Sequence, residues 1–179
     1  MKSGIPVYTA IETQKAIEDS TGERTVAIQP LREYQIGSFT VTPFNVPHES
    51  EIECYGYLIK HKEMGKLLFL TDLEYCKYNF SGLQVEHVMC ECNYSMEFVD
   101  RNEPNYEHRL RGHMSLDTAL KFIFTNDNPA LRNVVLIHLS DKSGNPTLFK
   151  QKVVETLKYD TEVYVAENGL EVDFNLCPF

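Results

Sequence analysis

The sequence has no tryptophan and no apolar run that approaches the length of a membrane span. Its opening, Met-Lys-Ser-Gly-Ile-Pro, lacks the continuous apolar core of a secretory signal. The five cysteines, Cys54, Cys76, Cys90, Cys92 and Cys177, are odd in number and follow no framework spacing. A disulfide-stapled scaffold is therefore excluded, and reduced cytosolic thiols are the default. Positive charge is also scarce: 17 Lys and Arg stand against 26 Asp and Glu, a formal net charge of -9. That opposes broad nucleic-acid binding, which needs many basic contacts to phosphates. It does not exclude a phosphodiester substrate, because a bound metal ion can supply positive charge locally.

What remains is a soluble, globular composition: 42% hydrophobic and 24% charged residues over 179 positions, with ten Tyr and ten Phe to fill a core. There is no internal repeat, low-complexity segment or linker, so residues 1–179 read as a single domain of the α/β (α+β) class. Ile5 to Thr9 predicts an edge strand, and Thr13 to Asp19 a helix closed by Ser20-Thr21-Gly22. Segments 25–29, 32–36, 39–46, 54–60 and 67–71 predict short strands pairing largely antiparallel, with a hairpin at Glu63-Met64-Gly65-Lys66. Beyond Asp72 the pattern changes. Tyr75 to Leu83 predicts a helical turn, Val85 to Cys92 a strand, and Asp100 to His108 a polar connection. Ser115 caps a helix, Val134 to Leu139 is a buried strand, and Asn145-Pro146 opens a helix through Leu157. Val163 to Ala166 and Leu170 to Phe174 predict a terminal hairpin around Asn168-Gly169.

Three apolar segments end in a residue that can bind a metal or move a proton. They are Val46-Pro47-His48-Glu49, Phe69-Leu70-Thr71-Asp72 and Ile137-His138-Leu139-Ser140. Each has a bland alternative: His48 a surface histidine in a turn, Asp72 a helix cap, His138 a satisfied core histidine. Gly112-His113-Met114-Ser115 sets a histidine just ahead of a helix start, where it can serve as a proton donor or phosphate contact. Glu91 and Asn93 share one face of a strand, and Cys90 and Cys92 the other. The Cys-x-Cys pair lacks a second pair and reads as core filling rather than a zinc site. His61, His87 and His108 have no supporting context.

The order of these pieces resembles the metallo-β-lactamase-fold metallo-hydrolases, in the branch related to tRNA-processing endonucleases and exonucleases. The pieces are a strand-end His, Thr-Asp, Glu-Cys-Asn-Tyr, Arg-Gly-His-Met-Ser and His-Leu-Ser. The resemblance implies a partial αββα sandwich, with mixed sheets and flanking helices. It also implies a metal-dependent hydrolase, phosphodiesterase- or nuclease-like, holding two zinc or manganese ions. Carried over residue by residue, it makes His48, Asp72 and His138 metal ligands, with Asp72 bridging, and His113 the catalytic acid or substrate contact.

One departure stands out. The family's first metal motif, His-x-His-x-Asp-His, does not occur, and the six histidines never take that spacing. The opening Ser3-Gly-Ile-Pro-Val-Tyr-Thr9 is similar to the segment that follows that motif. The expectation is a truncated or split form that lacks the first strands and binds metal weakly or not at all by itself. A complementing N-terminal segment or a homo-oligomer would then complete it. Two alternatives stand beside this: a catalytically inactive binding or regulatory relative, and an unrelated α/β domain whose His, Asp and His are structural.

Overall fold

The computed structural model describes residues 4–21, 24–49 and 53–177, the side chains of 18–21 excepted; Ser3 and Gly22 lie outside them. Two sheets form. β1 (Val7–Thr9) and β2 (Thr25–Ala27) pair in parallel, linked by α1 (Ile11–Thr21). The larger sheet has seven strands in chain order: β3 (Tyr34–Ile36), β4 (Phe39–Val46), β5 (Cys54–His61), β6 (Gly65–Leu70), β7 (His87–Glu91), β8 (Asn133–Ile137) and β9 (Glu162–Val165). β3 to β6 pair antiparallel, and β6 to β9 pair parallel.

The change of pairing follows the connections. β5 and β6 are joined by the short turn read at Glu63 to Lys66, where Gly65 takes the positive φ of 77° that the turn requires. Parallel neighbours instead need long crossovers. Between β7 and β8 these are α2 (Tyr106–Gly112) and α3 (Leu116–Asn126), and between β8 and β9 it is α4 (Pro146–Thr156). The Ser115 hydroxyl accepts from the Thr118 N–H at 3.2 Å and the Asn145 amide oxygen from Leu148 N–H at 3.0 Å, so both helices start where the sequence places a cap.

Strand alternation assigns the two faces. Phe44, Val46, Leu58, Leu68, Leu70, Val88, Cys90, Leu136 and Val163 point into one core with Leu116, Ala119, Phe122 and Ile123 of α3 and Phe149 and Val153 of α4. Tyr55 and Tyr57, on the opposite face of β5, pack with Tyr8, Ala10 and Ile28 from the small sheet's side. The layers are therefore helices, large sheet, small sheet: an α/β sandwich of the expected class.

Four local expectations are corrected. The strand at 25–29 does not join the meander. Ile28 N–H bonds Thr9 O at 2.8 Å, extending the pairing with β1, and Leu31 at φ 62° turns the chain away before β3. Within 75–83 only Ser81–Leu83 is helical, as a single 3-10 turn. The polar stretch through His108 contains α2, whose Arg109 is buried against Glu103 and Ser143. Among the described residues no second strand follows β9. After a turn at Gly169 the chain crosses to the far end of the sheet, where Phe174 stacks on His87 and Leu176 N–H bonds Glu63 O at 2.7 Å.

Candidate metal centre

Parallel register creates the site. Leu70 lies opposite Cys90, and Glu91 opposite Ile137, so the carboxyl ends of β6, β7 and β8 finish side by side. In open α/β sheets this edge is where ligands bind. Asp72 follows β6, Glu91 ends β7 and His138 follows β8. One ligand atom from each of Asp72, Glu91, His113 and His138 falls within 4.8 Å of every other.

Backbone geometry aims these groups. Asp72 (φ 53°) and His138 (φ 56°) both take the left-handed conformation, uncommon for residues with a side chain. Leu73 N–H donates to Glu91 Oε2 at 3.2 Å, which ties the Asp72 turn to β7. The Asn93 side-chain amide donates to His138 O at 2.7 Å, and Ser140 N–H donates to Asn93 O at 2.8 Å. His113 is brought in by α2 ending and α3 beginning on either side of it, with Asn93 N–H bonding Met114 O at 2.9 Å.

Electrostatics divide the four residues into two pairs. The Glu91 side chain is fully buried, and His113 Nδ1 lies 2.6 Å from its Oε1. A carboxylate only accepts, so Nδ1 carries the proton and Nε2 is the ring nitrogen that remains for other work. The Glu91 hydrogen bond raises the His113 pKa above the ordinary histidine value, partly opposed by burial. His138 Nδ1 stands 3.4 Å from Asp72 Oδ1 and 3.5 Å from Glu91 Oε1, too long for good hydrogen bonds.

These spacings test the fit of a metal. Donors at tetrahedral corners around zinc are about 3.3 Å apart, given bonds of about 2.0–2.1 Å. The Asp72–His138 spacing of 3.4 Å matches such an edge, whereas 2.6 Å between His113 and Glu91 is a hydrogen-bond distance. Nitrogen and carboxylate donors suit zinc, and carboxylate suits manganese. Asp72 at 3.4 Å and Glu91 at 3.5 Å from His138 thus stand at spacings that could hold a metal ion, while Glu91 and His113 share a hydrogen bond.

His48 leaves β4 and reaches the same end of the sheet, its Nδ1 donating to Gly112 O at 2.9 Å. Its ring centre is 6.1 Å from that of His113, and it lies outside the four-residue group. Glu74 N–H bonds Pro47 O at 2.9 Å, holding the His48 turn against the Asp72 turn. From the sequence Glu91 reads only as a strand residue sharing a face with Asn93. Its signal was a lone carboxylate closing an apolar strand, where burial demands a partner. A cavity of about 220 Å³ opens here between His108, His113 and His138. The larger cavity, about 720 Å³, lies elsewhere, between α1 and the β2–β3 connection near Tyr55.

This sandwich, with its site at the parallel strand ends, is the metallo-β-lactamase fold, shared with solved structures. One is the metallo-β-lactamase fold protein YhfI from Bacillus subtilis (20% identity, TM-score 0.68), matched over 92% of this chain and 62% of that one. Another is a diphosphatase from the PhnP family (13% identity, TM-score 0.63), over 94% of this chain and 57% of that one. A third is human tRNase Z, short form (16% identity, TM-score 0.57), over 98% and 69%. No protein-family profile matches the sequence, and no curated protein sequence matches it. This chain thus spans somewhat under two thirds of the length of YhfI and of the diphosphatase.

Proposed function

We propose that this chain, a single domain over 1–179, carries part of the active site of a metal-dependent hydrolase that cleaves phosphodiesters, nucleic acid included. The observation that supports this most is the convergence of Asp72, Glu91, His113 and His138 at one sheet edge. The diphosphatase and tRNase Z among its structural neighbours support this choice of substrate class. His48, Asp72 and His138 would hold zinc or manganese. When bound, the ions supply an acidified water and charge neutralisation at the phosphate.

His113 is the catalytic acid. Its Nδ1 is held by Glu91, so Nε2 presents a proton to the leaving oxygen or a hydrogen bond to the phosphate. Glu91 fixes the ring's tautomer and favours its charged form. Asn93 holds the His138 backbone in its left-handed turn.

His48, Asp72 and His138 give each ion only two protein ligands, Asp72 being shared, where catalytic zinc sites have three. In this reading the chain is a truncated or split form, completed by a complementing N-terminal segment or a second copy. Exposed Ile11 and Val26 along the small sheet offer apolar surface for it. A cytoplasmic location accompanies the reading; no helix among the described residues is long and apolar enough to cross a membrane. The same low donor count favours a second reading, a catalytically inactive binding or regulatory relative. The deciding experiment adds the complementing segment to the purified chain and measures hydrolysis of a chromogenic phosphodiester. Turnover that appears on addition and is lost in Asp72→Ala supports the first reading. A chain that gains neither metal nor turnover supports the second.

A further inference from the structure

The cavity between His108, His113 and His138 has a composition at odds with the chain. The sequence carries 26 acidic residues against 17 basic ones. Yet the residues lining this cavity include three histidines, Arg109 and Asn105, and no carboxylate. Asp72 stands half-buried on the His138 side, 3.4 Å from that ring, while three other nearby acids are engaged from behind. Glu91 holds His113, Glu49 holds His108, and Glu103 is taken by Arg109 at 2.7 Å and Lys142 at 3.2 Å.

His108 is the residue that this arrangement singles out. Its Nδ1 contacts Glu49 Oε2, so Nδ1 carries a proton and Nε2 is left for a ligand. Its ring centre lies 5.9 Å from that of His113 and 6.4 Å from that of His48. The side chain is 57% exposed, so a solute reaches it without rearrangement. Glu49–His108 thus repeats the Glu91–His113 arrangement one ring further from the sheet edge.

Resting on the hydrolase reading above, we infer that His108, with Asn105, binds a second phosphate group of the substrate, one that is not attacked, beside the one His113 faces. The substrate would then be an oligonucleotide or a diphosphate ester rather than an isolated diester. Arg109 is neutralised by Glu103 and acts here as a wall and an anchor for α2, while His108 donates from Nε2 in its doubly protonated form and Asn105 from its side-chain amide.

The test is a titration of the metal-free chain with inorganic phosphate, followed by NMR of the histidine ring resonances. Saturable shifts of His108 and His113 are expected, with His61 unmoved. His108→Gln should weaken binding at least fivefold, His108→Arg should retain it, and His61→Gln should match wild type. A His108 resonance untouched by phosphate, or His108→Gln binding as well as wild type, overturns the inference. Zinc content measured on the same samples keeps the two readings apart. Phosphate binding at His108 without Asp72-dependent zinc sinks the metallo-hydrolase reading but not the pocket. Asp72-dependent zinc without phosphate shifts sinks only the pocket.

Discussion

Asp72 and His138 leave the sheet in the same manner, each in a left-handed turn just past a parallel strand, with their side chains meeting at 3.4 Å across the end of β7. Neither residue type favours that backbone as glycine does. Such turns persist where the surroundings hold them, and they concentrate at functional sites.

Asn93 is one of the groups that hold them. Its amide donates to the carbonyl of His138. Asn93→Ala is expected to cost about 1–2 kcal/mol, the loss of a largely buried hydrogen bond that leaves its acceptor unpaired. It should also weaken metal binding, because the His138 turn loosens. Urea unfolding together with zinc titration checks both. A variant as stable as wild type, with unchanged affinity, would show that the turn holds itself.

The Glu91–His113 pair makes a pH prediction for the metal-free chain. The His113 pKa is raised when folded, chiefly by the hydrogen bond to Glu91. The stabilisation from its protonated form is therefore fully present below the unfolded histidine value of about 6.5 and is lost as pH rises through the higher folded value. The stability gap between wild type and His113→Gln should narrow as pH rises from about 6.5. In Glu91→Gln, the His113 ring should titrate lower than in wild type by NMR. An unchanged titration would remove Glu91 from the role given to it.

Gly56 and Phe44 supply a prediction away from the site. A Cβ on Gly56 would sit 2.5 Å from Phe44 Cε2. Gly56→Ala should cost about 1–3 kcal/mol through overpacking. Phe44→Leu combined with it should recover part of that loss, since residues in contact couple. Chemical denaturation of the two single variants and the double variant measures the coupling, and strict additivity would contradict this contact.

The parts of the fold that were legible in the sequence are those where local signals and burial agree. Glu63 to Lys66 forms the expected hairpin turn, Ser115 and Asn145 cap α3 and α4, and the apolar run through Ile137 is a buried interior strand. Asp72 and His138 come together because strand ends are readable and parallel register aligns them, and His113 joins them from the α2–α3 junction. What stayed hidden depends on tertiary pairing. Helix α2 has only Tyr106 and Leu110 as large apolar residues and is fixed by Arg109 reaching Glu103 and Ser143, contacts that no periodicity announces. The parallel partner of β2 is a strand sixteen or more positions earlier, across a whole helix. Leu170 to Phe174 alternates like a strand, but its Phe174 finds the His87 ring instead of the edge of β9.

The most direct test of the central claim is zinc bound per chain at equilibrium, measured by dialysis for wild type and Asp72→Ala. Asp72 and His138 stand at the spacing of two donors on one ion, so the isolated wild-type chain should bind zinc weakly and Asp72→Ala not detectably. Equal binding by the two proteins would contradict the account by showing that Asp72 and His138 form no metal centre. Two tightly held ions with Asp72-dependent phosphodiester turnover by the isolated chain would contradict the donor count instead.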